Sequence, residues 1–272
     1  MKYKLFVFVI LPLCVSCGRL ANDMSASGVP AFNFTDKYNQ MYEYDGYVKQ
    51  VNTASEVNTV SYLSANSVLV SGKNNINVYT DEGAILFRYE PNESVNAATS
   101  SGINRDIFYA TKTRDIKKYN RSTGSLEVLA ENIYPLPTQL IVNNDETMLY
   151  YHDKFNVFSI DLLTFEQKKL TKIMLPIYSI TLNEDQSQLY FSTSNDGRIY
   201  NINLNNKRIG AFHKPISVIG ASLYYKNNQL YFTKSNGMHI SIQCMDTLTK
   251  EVTEIIELSN MNYINNLVVL DD

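Results

Sequence analysis

The sequence predicts an all-β chain folded as a β-propeller of about six four-stranded blades, with five or seven also compatible with its spacing. Three observations carry the prediction. A strongly β-prone triplet recurs at Val68-Leu69-Val70, Ile107-Phe108-Tyr109, Leu149-Tyr150-Tyr151, Leu189-Tyr190-Phe191 and Leu230-Tyr231-Phe232, with first residues 39, 42, 40 and 41 apart. Apolar and polar residues alternate after each triplet, and the two ends of the chain each hold the part of a blade that the other lacks.

The elements follow in order within each copy. After the triplet comes a polar turn, such as Ser194 to Gly197, and then a run in which Tyr200, Ile202 and Leu204 alternate with Asn201 and Asn203, or Ile240, Ile242 and Cys244 with Ser241 and Gln243. Period-two alternation marks a half-buried strand, because successive side chains point to opposite faces. A second turn (Ser122-Thr123-Gly124, Asn205-Asn206) leads to an outer strand such as Leu126 to Leu129. Ahead of the triplet another strand ends in a hairpin, as at Leu140 to Val142 before Asn143-Asn144-Asp145-Glu146. Asn, Asp and Gly tolerate the left-handed or side-chain-bonded backbone that such turns need. Thr249 to Leu258 has the spacing of an amphipathic helix, but its β-branched content and its place in the repeat make it an outer strand.

Asn33 to Val51 holds a blade without its first strand, aligned with Lys73 to Gly83, and Ile264 to Leu270 supplies that strand. Pairing the two ends closes the ring and removes a sheet edge. Residues 31–272 then form a single propeller domain.

Composition excludes some functions. With 24 Lys+Arg against 27 Asp+Glu, a net charge of −3 and scattered basic pairs, the chain lacks the footprint of a nucleic-acid binder. The N-terminus reads Met1-Lys2-Tyr3-Lys4, an apolar run from Leu5 to Val15, then Ser16-Cys17-Gly18. A basic start, a run too short to span a bilayer and small residues at its end describe an export signal over 1–16. Leu13-Cys14-Val15-Ser16-Cys17-Gly18 resembles the lipobox of bacterial lipoproteins, departing from it at Cys14, where the family prefers Leu. The resemblance implies that Cys17 becomes the first mature residue and carries palmitate-containing lipid, and that Gly18 directs the protein to the outer membrane. Loss of Lys2 and Lys4 takes the net charge from −3 to −5. Residues 17–30, rich in Ala, Ser, Gly and Asn, read as a flexible tether. The Cys14–Cys17 pair lies inside the export signal, so it is not read as a redox or metal pair. Cys244, in step with Ile240 and Ile242, reads as a buried thiol.

Asn144-Asp145-Glu146-Thr147-Met148-Leu149-Tyr150 and Asn183-Glu184-Asp185-Gln186-Ser187-Gln188-Leu189-Tyr190-Phe191 resemble the "spDgkkLYv" segment of YVTN-type bacterial propeller repeats. Asn156 to Leu162 is similar to the "vsvIDl.tg" that follows it. The likeness covers about residues 57–258 and implies a fold that hosts binders, scaffolds and some enzymes.

The chain has no G-x-S-x-G, S-x-x-K set or H-E-x-x-H. His152, His213 and His239 fall at different repeat positions and read as turn and strand-surface residues, while Asp145, Asp161, Asp185 and Asp196 read as turn residues serving their own backbone. No catalytic, metal or cofactor site is therefore predicted. With twenty Tyr and no Trp, Tyr and Phe must fill the wedges between blades. Clusters outside the triplet register, with Tyr38, Tyr42, Tyr44 and Tyr47 near the tether and Tyr134 and Tyr178 in connections between blades, are the candidates for a partner-binding rim, since aromatic residues dominate interface hot spots. The expected function is a lipid-anchored envelope module that binds or scaffolds another envelope protein. The alternatives are a propeller hydrolase or lyase acting at the channel mouth and a sensor of a small ligand.

Overall fold

The structure is a computed structural model that describes residues 30–270 apart from 37, 46, 52, 54–56, 65–66, 81–83, 102–103, 172–174, 195, 214–220, 237, 260 and 262. The chain enters through β1 (Phe32–Thr35), β2 (Met41–Tyr44) and β3 (Val48–Val51). The second blade is β4 (Val57–Ser64), β5 (Ser67–Gly72), β6 (Ile76–Thr80) and β7 (Ile85–Tyr89). The third is β8 (Val95–Ser100), β9 (Ile107–Thr111), β10 (Ile116–Tyr119) and β11 (Leu126–Ala130), and the fourth is β12 (Gln139–Val142), β13 (Met148–His152), β14 (Val157–Asp161) and β15 (Gln167–Lys169). The fifth comprises β16 (Ile177–Leu182), β17 (Gln188–Thr193), β18 (Ile199–Asn203) and β19 (Ile209–His213). The sixth comprises β20 (Leu223–Lys226), β21 (Gln229–Ser235), β22 (Ile240–Asp246) and β23 (Val252–Leu258), and the chain ends on β24 (Leu267–Val269).

Every sheet is a four-stranded antiparallel meander, and the closing one has the order β24-β1-β2-β3. Phe32 pairs with Val269 and Phe34 with Leu267, so the chain's ends share one blade. The all-β, six-bladed ring is the architecture predicted, and Val252–Leu258 is a strand rather than a helix. The triplets occupy the second strand of each blade, behind the strand expected ahead of them, and one detail differs: Asn33 to Val51 corresponds to β5–β7 rather than to Lys73 to Gly83.

The first strands of all six blades line a central cavity of about 310 Å³. Neighbouring first strands splay apart and do not pair, so their inward backbone groups need other partners. Side chains supply them across the blade boundary. Thr59 Oγ1 accepts from Ala98 N at 3.0 Å, and Ser61 Oγ donates to Ala98 O at 2.9 Å. Gln139 accepts from Ile180 N and donates to its carbonyl, Ser179 Oγ accepts from Leu223 N, and Thr181 Oγ1 from Tyr225 N. The polar content of these strands is thus a requirement of ring geometry.

The apolar core lies between blades. Six clusters form, each joining two consecutive blades: Phe108 and Ile116 meet Leu149 and Tyr151, and Ile180 and Phe191 meet Tyr150 and Val157. Tyr109, Tyr151, Phe108, Phe191 and Phe232 are fully buried, each contributing about 2–3 kcal/mol of apolar burial.

The turn from third to fourth strand repeats. Asn120, Asp161, Asn203 and Asp246 each accept, through Oδ1, the backbone N–H groups two and three residues on, at 2.8–3.1 Å. The residue four positions on, Gly124, Phe165, Lys207 or Lys250, takes a positive φ of 57–71° to reverse the chain. Among these four turns only the third blade's has glycine there, the residue that adopts this conformation without strain.

Antiparallel meanders give the ring two unlike faces. First-to-second and third-to-fourth turns share one face, tied together where Leu162 N donates to Thr147 O and Thr247 N to Asn228 O. Ala31 precedes β1 and Leu270 follows β24 on this same face, with Leu270 N donating to Ala31 O. This is the entry face. The far face carries the second-to-third turns and the connections between blades.

Candidate binding surfaces

The residues with potential chemistry do not converge. Asp145 and Asp185 accept from Thr147 N and Ser187 N within their own hairpins. Asp196 accepts from Tyr200 OH at 2.7 Å, from Arg198 N and from Thr193 Oγ1; burial alone would raise its pKa, but these bonds outweigh it and hold the carboxyl below its usual range. His239 Nδ1 lies 3.1 Å from Ser259 O, and His213 is half-buried, its pKa lowered by burial and by Lys250. His152 corrects the sequence reading. It is a core residue, not a surface one: its Nδ1 donates to Asp153 O at 2.7 Å, and burial lowers its pKa to about 4. Cys244 is buried as expected, and burial pushes its thiol up to about 11. Among the described residues no three His, Cys, Asp or Glu are grouped to hold a metal ion.

The channel opens at the entry face beside Asn144, Asn183 and Glu184 and is lined deeper by Val60, Leu140, Ile180 and Leu223. Its charged rim groups are engaged. Lys226 Nζ donates to Leu270 O at 2.6 Å, and Glu184 Oε1 accepts from Asn227 N. At the far end Tyr178 OH donates to Ile264 O at 2.7 Å, and its ring packs edge-on against Tyr263, 5.8 Å between centroids. On the entry face Lys118 Nζ bridges Asp106 of its own blade, at 3.1 Å, and Glu146 of the fourth, at 3.2 Å.

The six Tyr candidates separate. Tyr42 and Tyr44 are not rim residues; they are buried in the cluster joining the sixth and closing blades, and Tyr42 stacks on Phe34 at 5.8 Å. Tyr178 is half-buried, with its hydroxyl bonded to Ile264 O, and burial raises its pKa. Tyr38, Tyr47 and Tyr134 are exposed, at 67%, 52% and 74%. Tyr38 and Tyr134 lie on the far face, in the β1–β2 turn and the β11–β12 connection, whereas Tyr47 lies in the β2–β3 turn on the entry face.

Exposed apolar residues within turns escaped sequence reasoning. Phe155 and Met238 join Tyr38 and Tyr134 on the far face, in the second-to-third turns of the fourth and sixth blades. Leu163 and Leu248 stand on the entry face at 80% and 77% exposure. Their signal was available: each is an apolar residue inside a turn, where no strand alternation can bury it.

No family model matches the chain, and no curated protein matches it. Solved structures do. One chain of a nidogen/laminin complex superposes with a TM-score of 0.69 at 13% identity, over 88% of this chain and 97% of that one. A Bacteroides caccae protein of unknown function superposes with a TM-score of 0.66 at 13% identity, over 89% of this chain and 99% of the other. At such identity the likeness defines the class by fold alone, and this chain is a six-bladed β-propeller.

Proposed function

We propose that the chain is a lipid-anchored protein of the bacterial cell envelope, held in the outer membrane through Cys17, whose propeller binds or scaffolds another envelope protein. The observation that carries the reading is the set of exposed residues Tyr38, Tyr134, Phe155 and Met238 on the face opposite chain entry. Large apolar and aromatic side chains displayed by turns of a rigid ring are suited to act as interface anchors, with little conformational freedom left to lose. The lipobox-like ending at Cys17 supports the anchor. The similar chain from the nidogen/laminin complex supports a protein partner, since that propeller-like chain is described in complex with a protein.

Two measurements test the reading. Radiolabelled palmitate should enter the wild-type chain and not Cys17→Ser; label in both, or in neither, overturns the anchor. A partner cross-linked in intact envelopes by the wild-type chain should be lost from a Tyr38→Ala/Tyr134→Ala/Met238→Ala variant of unchanged thermal stability. An equal cross-linking pattern from the variant overturns the far-face interface.

A further inference from the structure

We infer that the entry face lies against the bilayer that holds the lipid, with Leu163 and Leu248 entering its headgroup region. The inference rests on the anchor reading above and adds an orientation to it. Ala31 and Leu270 meet on this face, so any chain between Cys17 and the propeller joins there. The 13 residues from Gly18 to Pro30 span at most about 45 Å fully extended and about 20 Å as a coil. A body of this length has a radius of gyration of about 18 Å. The coil's reach is then well short of the body's breadth, which holds the entry face nearest the membrane.

The side chains on that face fit the neighbour. Leu163 and Leu248 occupy the same position, two residues after the turn's Asp, in the fourth and sixth blades. Each turn is fastened by two backbone bonds to that Asp, so the leucines are displayed on ordered loops and lose little further backbone freedom on contact. Phe165 in the same turn and Tyr47 in the corresponding turn of the closing blade extend the apolar set along one side of the ring. The same position holds Ser122 in the third blade and Asn205 in the fifth, so the leucines mark the turns of the fourth and sixth blades on the tethered face. The turns carry both signs of charge, Lys207 and Lys250 against Glu166 and Asp185, so the contact is apolar and should persist in salt.

The test uses the full lipidated chain in vesicles of phosphatidylethanolamine and phosphatidylglycerol carrying nitroxide-labelled lipid. A fluorophore is placed in turn at Leu163→Cys, Leu248→Cys, Phe155→Cys and Met238→Cys; buried Cys244 stays unlabelled. Flotation of the unlabelled chain reports the anchor separately. The expected result is flotation, with several-fold stronger quenching at 163 and 248 than at 155 and 238, unchanged in high salt. Flotation with equal or no quenching at the two faces overturns the orientation while leaving the anchor standing. A chain that does not float overturns both, and concentration-dependent self-association that protects 163 and 248 without quenching assigns the face to a second copy instead.

Discussion

The hydroxyl of Tyr178, at the start of the fifth blade's first strand, donates to the carbonyl oxygen of Ile264 at 2.7 Å, reaching past the sixth blade to the segment that closes the ring. Ser222 Oγ donates to the same carbonyl at 2.9 Å, so three blades meet at one backbone oxygen.

Tyr178→Phe should cost about 1 kcal/mol, the ordinary net worth of a hydrogen bond, because Ser222 still satisfies the carbonyl. Differential scanning calorimetry should show a fall in melting temperature of about 2–4 °C. Tyr178→Phe combined with Ser222→Ala leaves that oxygen without either donor and should lose more than the sum of the single changes.

Ring closure depends on three short residues of strand. Val269 is fully buried between the sixth and closing blades and pairs with Phe32. Val269→Ala should cost about 2 kcal/mol, and Val269→Asp, which buries a carboxyl without a partner, about 4 kcal/mol or more. Urea titration followed by circular dichroism checks both. Equal midpoints for the two variants would show that the terminal strand is not integral to the fold.

Gly124 has a φ of 71°, and a methyl group added there would meet only Tyr119 OH, at 3.9 Å. The space is open, so Gly124→Ala tests conformation alone and should cost about 1 kcal/mol. Lys207→Gly, at the equivalent position of the fifth blade, should cost less than Gly124→Ala or raise stability slightly.

His152 sets an acid limit. Its pKa is lowered from 6.5 to about 4 by burial, against the opposing pull of Asp153, so the unfolded chain binds the proton more readily than the folded one. The stability that this neutral buried ring preserves is fully present above pH 6.5 and is lost as pH falls toward 4. The loss should approach about 3 kcal/mol over that window, and His152→Gln should flatten it in urea midpoints measured from pH 7 to pH 4.

Much of the fold was legible because repetition multiplies weak signals. One Leu-Tyr-Phe triplet says little, but five at nearly equal spacing specify a blade, and the matched ends specify closure. The surface was harder to read. Tyr38 and Tyr42 are four residues apart, yet one is exposed and the other stacks on Phe34 in the core, because Tyr38 lies in the β1–β2 turn and Tyr42 on the strand that follows it. Tyr38 and Tyr47 looked like one cluster and sit on opposite faces, since one strand of β-structure carries the chain across the ring between them. His152 looked like a turn residue and is sealed beneath Thr138.

The sequence by itself determined what strand periodicity, turn chemistry and repeat length can encode, which is four-stranded blades, about six of them, closed end to end. Tertiary structure decided which side chains share a face and which are hidden. The physical reason is that burial here occurs between blades forty residues apart, and alternation along a strand tells which side a residue points to, not whether another blade covers it.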